Sequence, residues 1–244
     1  MPDHRSHRGP HPEDADLFAT PAHPALRSAA ADLSWLLSRG YASPSALKVV
    51  GDRYALNARQ RVAVARSSCA DAARAARQSR LVPPEGVAAA PGGREMLLDG
   101  YNVLTTVEAA LGGGVVLVGR DGAYRDMASM HGTYRGVEET VPALTLIGDA
   151  LARFGVPSAL WYLDAPVSNS GRLKGVILDV ARRRGWAWQV QLVPDPDAIL
   201  AECDGIAATA DSAILDAPVR WFGLAGEVVR RDVPGAWVVD LSGT

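Results

Sequence analysis

The chain has 244 residues, a formal net charge of −2, and a composition that is 48% hydrophobic and 21% charged. That is the balance of a globular protein. No apolar run approaches the ~20 residues of a bilayer-crossing helix, and the opening stretch MPDHRSHRGPHPEDADLFATPAHP has no apolar core of a secretory signal. A membrane partner is therefore not expected. Two isolated cysteines, Cys69 and Cys203, make neither a disulfide framework nor a zinc site. A reducing cytoplasm without disulfide-linked partners is the expected setting.

The charge is unevenly spread. Residues 26–81 hold ten Arg/Lys against three Asp, and residues 82–244 hold thirteen Arg/Lys against twenty Asp/Glu. A basic part beside an acidic one suits a protein that grips a polyanion with the first and binds a cation with the second. Two solvated surfaces of different sign give the same count.

Residues 1–23, with Pro, His and scattered charge, read as a disordered tail. Residues 24–82 read as a basic module of three helices. In PALRSAAADLSWLLSRG, Leu26, Ala30, Leu33, Leu36 and Leu37 recur at helical spacing and Gly40 ends the run; Trp35 is expected in the core with its neighbours. Ser43 and Pro44 open a second helix. A third starts after an Asn57 cap and runs through the Ala/Arg-rich text to residue 80. LVPPEGVAAAPGGRE supplies a linker over 83–94.

From residue 95 short β-rich runs alternate with helical text. Strands are expected at 96–99, 115–118, 159–164, 187–193, 205–209, 219–223 and 236–241, and helices at 103–111, 140–154, 170–184, 194–202 and 211–216. Such alternation with nearly continuous apolar strands means a parallel sheet covered on both faces.

Open parallel sheets place their sites at the carboxyl ends of the strands. MLLD ends on Asp99, ALWYLD on Asp164, and GIAATAD runs into Asp211; VPDPDAILAECDG adds Asp195, Asp197 and Asp204. Clustered carboxylates repel one another unless a cation neutralises them. Mg²⁺ or Mn²⁺, taking oxygen ligands and substrate phosphate, fits that role. Such an ion supports phosphodiester hydrolysis. The competing reading is helix capping, open to both Asp99 and Asp211; a capped turn still offers an oxygen. Asp195 and Asp197 flank Pro196, so turn or cap chemistry explains at least one of them. Asp121, before Gly122, reads as a turn residue.

LLDGYNVL resembles the first strand of PIN-like nucleases of the NYN type, and DGIAATADSAIL resembles that superfamily's later acidic motif. The resemblance covers roughly residues 95–216. It implies a PIN-like three-layer α/β domain with a mainly parallel central sheet over 95–244, preceded by the small all-helical module. It implies metal carboxylates at Asp99, Asp164 and Asp211, with Asp204 as a further catalytic acid leading into the late strand. It also implies that Asn102 orders the first turn and that Asp197 and Ser212 support the site. The region 112–140 and the stretch LDAPVSNSGRLKG depart from that pattern. The whole chain also resembles an uncharacterised prokaryotic family in which a helical module with LLSRGY, ALKVVGDRY and RQRVAVAR precedes this domain.

RNA is the expected partner. Ser168, Asn169 and Ser170 would cap the following helix and offer N–H groups to phosphate, with Arg172 and Lys174 in its first turn. Capping alone is the plainer reading. His131, Tyr134 and Arg135 in MHGTYRG offer an aromatic and a cation to a strand, or form a simple surface loop. Arg53, Arg59, Arg61 and Arg66 form a candidate phosphate stripe, and the segment DRY an internal ion pair instead. A non-catalytic RNA-binding or scaffold protein is the main rival. A phosphatase with a nucleophilic Asp fails because Tyr101 stands two residues after Asp99, and no P-loop is present. A homodimer is compatible with the text and not required by it.

Overall fold

The computed structural model describes residues 7–127 and 134–243. Helix α1 (Asp14–Leu17) and a 3-10 turn (Thr20–Ala22) lead into α2 (His23–Ser38), α3 (Ser43–Arg53), α4 (Ala58–Ser67) and α5 (Asp71–Arg80). The single helix expected between Asn57 and residue 80 is thus two. Asn57 caps α4 through a reciprocal box with Gln60. At Ser68 and Ala70 the backbone becomes extended. The Ser68 hydroxyl donates to the Val64 carbonyl at 2.7 Å, a local bond of the kind that competes with helix continuation. Trp35 is 52% exposed rather than core, with the Arg39 guanidinium over its ring at 3.4 Å.

Residues 7–23 correct the expected tail. Phe18 is fully buried and packs with Leu26, Leu33 and Val64. Asp14 is fully buried as well and receives both Nε and Nη2 of Arg59, the latter at 2.8 Å. The 83–94 stretch also packs: Val87 is fully buried, and the Val82 N–H donates to the Trp221 carbonyl at 2.8 Å.

Beyond it come β1 (Glu95–Asp99), α6 (Gly100–Leu111), β2 (Val116–Val118), β3 (Tyr124–Asp126), α7 (Thr140–Arg153), β4 (Ser158–Asp164), α8 (Ser170–Arg184) and β5 (Ala187–Val193). The chain finishes with α9 (Pro196–Ala201), β6 (Ile206–Ala208), α10 (Ser212–Asp216), β7 (Arg220–Phe222), α11 (Leu224–Asp232) and β8 (Val238–Asp240). Five strands form one parallel sheet in the order β5-β4-β1-β6-β7.

Alternate residues of these strands face opposite cores, as the two-residue period requires. Met96, Leu98, Ala159, Trp161, Leu163, Ile206 and Ala208 join the helices α6, α7, α8 and α11 on one side. Leu97, Leu160, Tyr162 and Ala207 meet Leu200 of α9 and Ile214 of α10 on the other.

The strands expected at 115–118 and 236–241 lie outside this sheet. They form a second one, ordered β3-β2-β8, with β2 antiparallel to β3 and parallel to β8. Val115, Leu117, Val239 and Leu241 pack with Leu26, Leu33, Val50 and Val64. The helical segment and the small sheet therefore share one core, and no break in packing falls at 83–94. Among the described residues no helix is long and apolar enough to cross a membrane.

Candidate active site

The main sheet reverses its direction of growth at β1. From there the chain adds β4 and β5 on one side, then β6 and β7 on the other. The crevice at the carboxyl ends of β1 and β6 is therefore the topological switch point, where open α/β sheets bind ligands. An open cleft of about 380 Å³ lies there, lined by Asp99, Asp126, Asp164, Asp197 and Asp211 together with Asn102, Thr105, Thr106, Arg66 and Arg125.

The β1–α6 turn is held tight by Gly100. A Cβ at that position would stand 2.7 Å from the Tyr162 carbonyl oxygen and 2.6 Å from a Leu163 methyl, so only glycine lets α6 start against β4. Asp99 precedes it and makes no side-chain cap to α6. Its carboxylate instead accepts the Thr209 hydroxyl at 2.8 Å. Thr209 also accepts the Asp211 N–H at 2.9 Å, so one buried hydroxyl ties the two acidic turns together. Asn102 does the same from the other side, its Oδ1 accepting the Ala210 N–H at 2.8 Å. Asp211 caps α10 by accepting the Ala213 N–H at 2.7 Å, and it still lines the cleft.

Asp99 is 7% exposed. Burial pushes its carboxyl up to about 7; the Thr209 hydrogen bond opposes that, and the charges of Asp197 and Asp211 add to it. Asp197, in the first turn of α9, is pushed up to about 6 by burial and then by Asp211, Asp164 and Asp195. Asp164 is raised too, chiefly by burial. Asp195 caps α9 through the Ala198 N–H at 3.1 Å.

Asp126 was not among the expected site residues. It accepts the hydroxyls of Thr105 and Thr106 at 3.1 Å each, and its backbone carbonyl accepts from Arg66 at 2.5 Å. The sequence signal was slight: YRD closes a three-residue strand inside the region that departs from the PIN-like pattern. Thr209 was missed because its value lies in linking two turns 110 residues apart.

Several expected residues lie elsewhere. Asp204 precedes β6, whose Ile206 pairs with Met96, so it stands at the amino end of the sheet, opposite Asp99. Its backbone carbonyl accepts from Arg220 at 2.6 Å. Ser212 does line the cleft. Arg59 is bound to Asp14, and Arg61 to Asp52 at 2.8 Å. Arg53 pairs with Asp32 at 3.5 Å beside a different groove, on α2 and α3. The candidate phosphate stripe is thus a set of internal ion pairs, and only Arg66 of that stripe reaches the cleft. Asn169 is left-handed (φ 71°) and makes no side-chain cap to α8. Ser168 is exposed and Ser170 buried, and Lys174 lies one turn into α8. Arg172 lines a second cavity. Tyr134 is interior rather than a surface aromatic, and His131 lies outside the described residues.

The cleft's oxygens suit a hard divalent ion held largely through water. Among the described residues, no three Asp, Glu, His or Cys side chains stand close enough to make a preformed metal cage.

Two family models match the chain. Residues 25–80 match one described as a protein of unknown function (DUF434). Residues 89–227 match one described as a domain of unknown function (DUF5616). An uncharacterized protein of Methanocaldococcus jannaschii is 28% identical over 190 residues, which cover 78% of this chain and 88% of that protein. No solved structure matches. The longer match takes in more than half of the chain and every carboxylate of the cleft, and the chain belongs to the family described as Domain of unknown function (DUF5616).

Proposed function

We propose that the chain is a Mg²⁺- or Mn²⁺-dependent ribonuclease or related RNA-processing enzyme that hydrolyses phosphodiester bonds on a PIN-like, NYN-type domain. The observation that carries this reading is Asp99: a buried carboxylate at the switch point, among other acids, whose carboxyl is raised to about 7. A bound cation relieves that cost. The Asp-Gly-Tyr-Asn turn and the strand order, with the first strand central, support the PIN-like assignment.

In this reading Asp99 and Asp211 would hold the ion, with Asp197 and Asp164 beside them in the cleft. When bound, such an ion would supply positive charge to the scissile phosphate and lower the pKa of a water there. Thr209 and Asn102 keep the two acidic turns in register. Asp197, raised to about 6, is suited to take and return a proton near neutral pH. Arg66 sets a guanidinium at the rim, where a neighbouring phosphate of the strand would lie.

The test is cleavage of a mixed single-stranded RNA pool with Mn²⁺ by the wild type, Asp99→Asn and Asp211→Asn. The expected result is metal-dependent cleavage that falls by at least about a hundredfold in each variant. Equal cleavage by all three proteins, or none by the wild type, overturns the reading. The second reading, a non-catalytic RNA-binding or scaffold protein, is favoured by the lack of a preformed three-ligand group among the described residues. It predicts RNA binding without cleavage.

A further inference from the structure

Beside the carboxylate cleft lies a second cavity of about 230 Å³, between residues 134–141 and the first turns of α8. Val137, Val141, Leu173 and Val176 give it apolar walls, and Arg135 and Arg172 line it as well. Among the described residues neither guanidinium has a hydrogen-bond or ion-pair partner. The two cavities are neighbours. Tyr101 lines the cleft and Tyr134 the second cavity, and their rings lie 5.5 Å apart. Among the described residues the Tyr101 hydroxyl is buried and has no hydrogen-bond partner.

The wall is firmly held. The Tyr134 hydroxyl donates to buried Glu108 at 2.5 Å, and Arg8 Nε donates to the same carboxylate at 2.6 Å. The Tyr134 backbone N–H donates to the Ser168 carbonyl at 3.1 Å, and Asn169 Nδ2 donates to the Tyr134 carbonyl at 3.0 Å. These bonds clip the loop carrying Arg135 onto the loop that opens α8.

We propose that this cavity is a base-binding subsite for single-stranded RNA, holding a nucleotide next to the one whose phosphate lies in the carboxylate cleft. The inference rests on the hydrolase reading for what occupies the cleft. A cleft lined by five carboxylates and two arginines repels a polyanion except where a bound cation or the Arg66 guanidinium meets a phosphate. Holding a strand there needs positive charge close by and something to grip that is not phosphate. The second cavity offers both. Its apolar walls take the flat face of an unstacked base, and its two arginines meet the flanking phosphates or stack on the ring. A partly open cavity of this size admits one base and no base pair, so it selects for a single strand.

The test measures binding separately from cleavage. Fluorescence anisotropy of a short labelled single-stranded RNA, with Ca²⁺ in place of Mg²⁺ or Mn²⁺, compares the wild type with Arg172→Ala and Val176→Phe; calorimetry of Mn²⁺ binding is run on all three. Losing one charge-assisted contact predicts about tenfold weaker RNA binding for Arg172→Ala, with a salt slope flatter by about 0.7. Val176→Phe fills the cavity and weakens RNA binding by a similar factor while keeping the wild-type salt slope. Mn²⁺ affinity stays unchanged in both. RNA affinity unchanged in both variants, or absent in the wild type, overturns the subsite. A wild type that binds RNA but shows no metal-dependent cleavage counts against the hydrolase reading alone, and the anisotropy comparison then still decides the subsite.

Discussion

Asp99 and Asp121 are both buried carboxylates at the ends of short turns, and they titrate in opposite directions. Asp121 is 2% exposed. Burial pushes its carboxyl up, but Arg125 and then Arg77 outweigh that and hold it down at about 2. Arg125 reaches it with two bonds, of 2.9 and 2.7 Å, and Arg77 with one of 2.6 Å. Among the described residues Asp99 has no such partner. A hydroxyl is its strongest help, and its nearest charges are other carboxylates. The two sites are also linked: Arg125 donates to the Ala210 carbonyl at 2.8 Å, next to Asp211. One acid is part of a closed structural network and braces the cleft. The other has a hydroxyl and further carboxylates beside it and, among the described residues, no cation bound to it, a setting that disfavours its charge unless a cation is supplied.

The largest effect should come from breaking the closed network. Asp121→Ala takes from buried Arg125 its only carboxylate partner among the described residues and leaves buried Arg77 with the half-exposed Asp216 alone, so it should cost about 3–5 kcal/mol in urea denaturation. Next comes the pH dependence of Asp99. Its folded carboxyl lies near 7 against an ordinary 3.8, so the folded state holds its proton more tightly. Metal-free stability from this group is full below about pH 4 and is lost as pH rises through 7. Asp99→Asn should flatten that decline. At pH 8 the variant should be the more stable protein, by at most about 4 kcal/mol. Asp121 runs the other way, its contribution being lost only as pH falls toward 2.

A smaller effect follows from Thr209→Val. This keeps the shape and removes the bonds to Asp99 and from Asp211, so it should cost about 1–2 kcal/mol. It should also move the Asp99 titration further up, because that hydroxyl holds it down. The smallest is Arg53→Ala. Its ion pair with Asp32 is exposed on both sides, so stability should change by less than about 0.5 kcal/mol. RNA affinity should not move, since Arg53 lies beside a different groove.

The main sheet was legible because its strands are apolar runs separated by helical text, and the acids at their carboxyl ends followed from sheet geometry. Asp99, Asp164 and Asp211 came to the cleft for that reason, with Asn102 and Asp197. Asp204 did not, because it leads into its strand instead of out of it, and a parallel sheet sends those two ends to opposite edges. Non-local pairing was not legible. Nothing in the local text near Asp14 announces Arg59, and nothing near Gly119–Asp126 announces Arg77. The same blindness made the arginines of the helical segment look like a phosphate stripe. It also hid the small sheet, whose strands of three residues carry little periodicity and join segments more than 110 residues apart.

Among the described residues no cation is bound to Asp99, and a divalent ion would supply that charge. Calorimetric titration of Mn²⁺ into the metal-free wild type and into Asp99→Asn at pH 8 tests it most directly. One saturable site is expected in the wild type, weakened when the pH is lowered to 5, and no binding is expected in the variant. Wild-type protein that takes up no Mn²⁺, or a variant that binds it as well as the wild type, would contradict it.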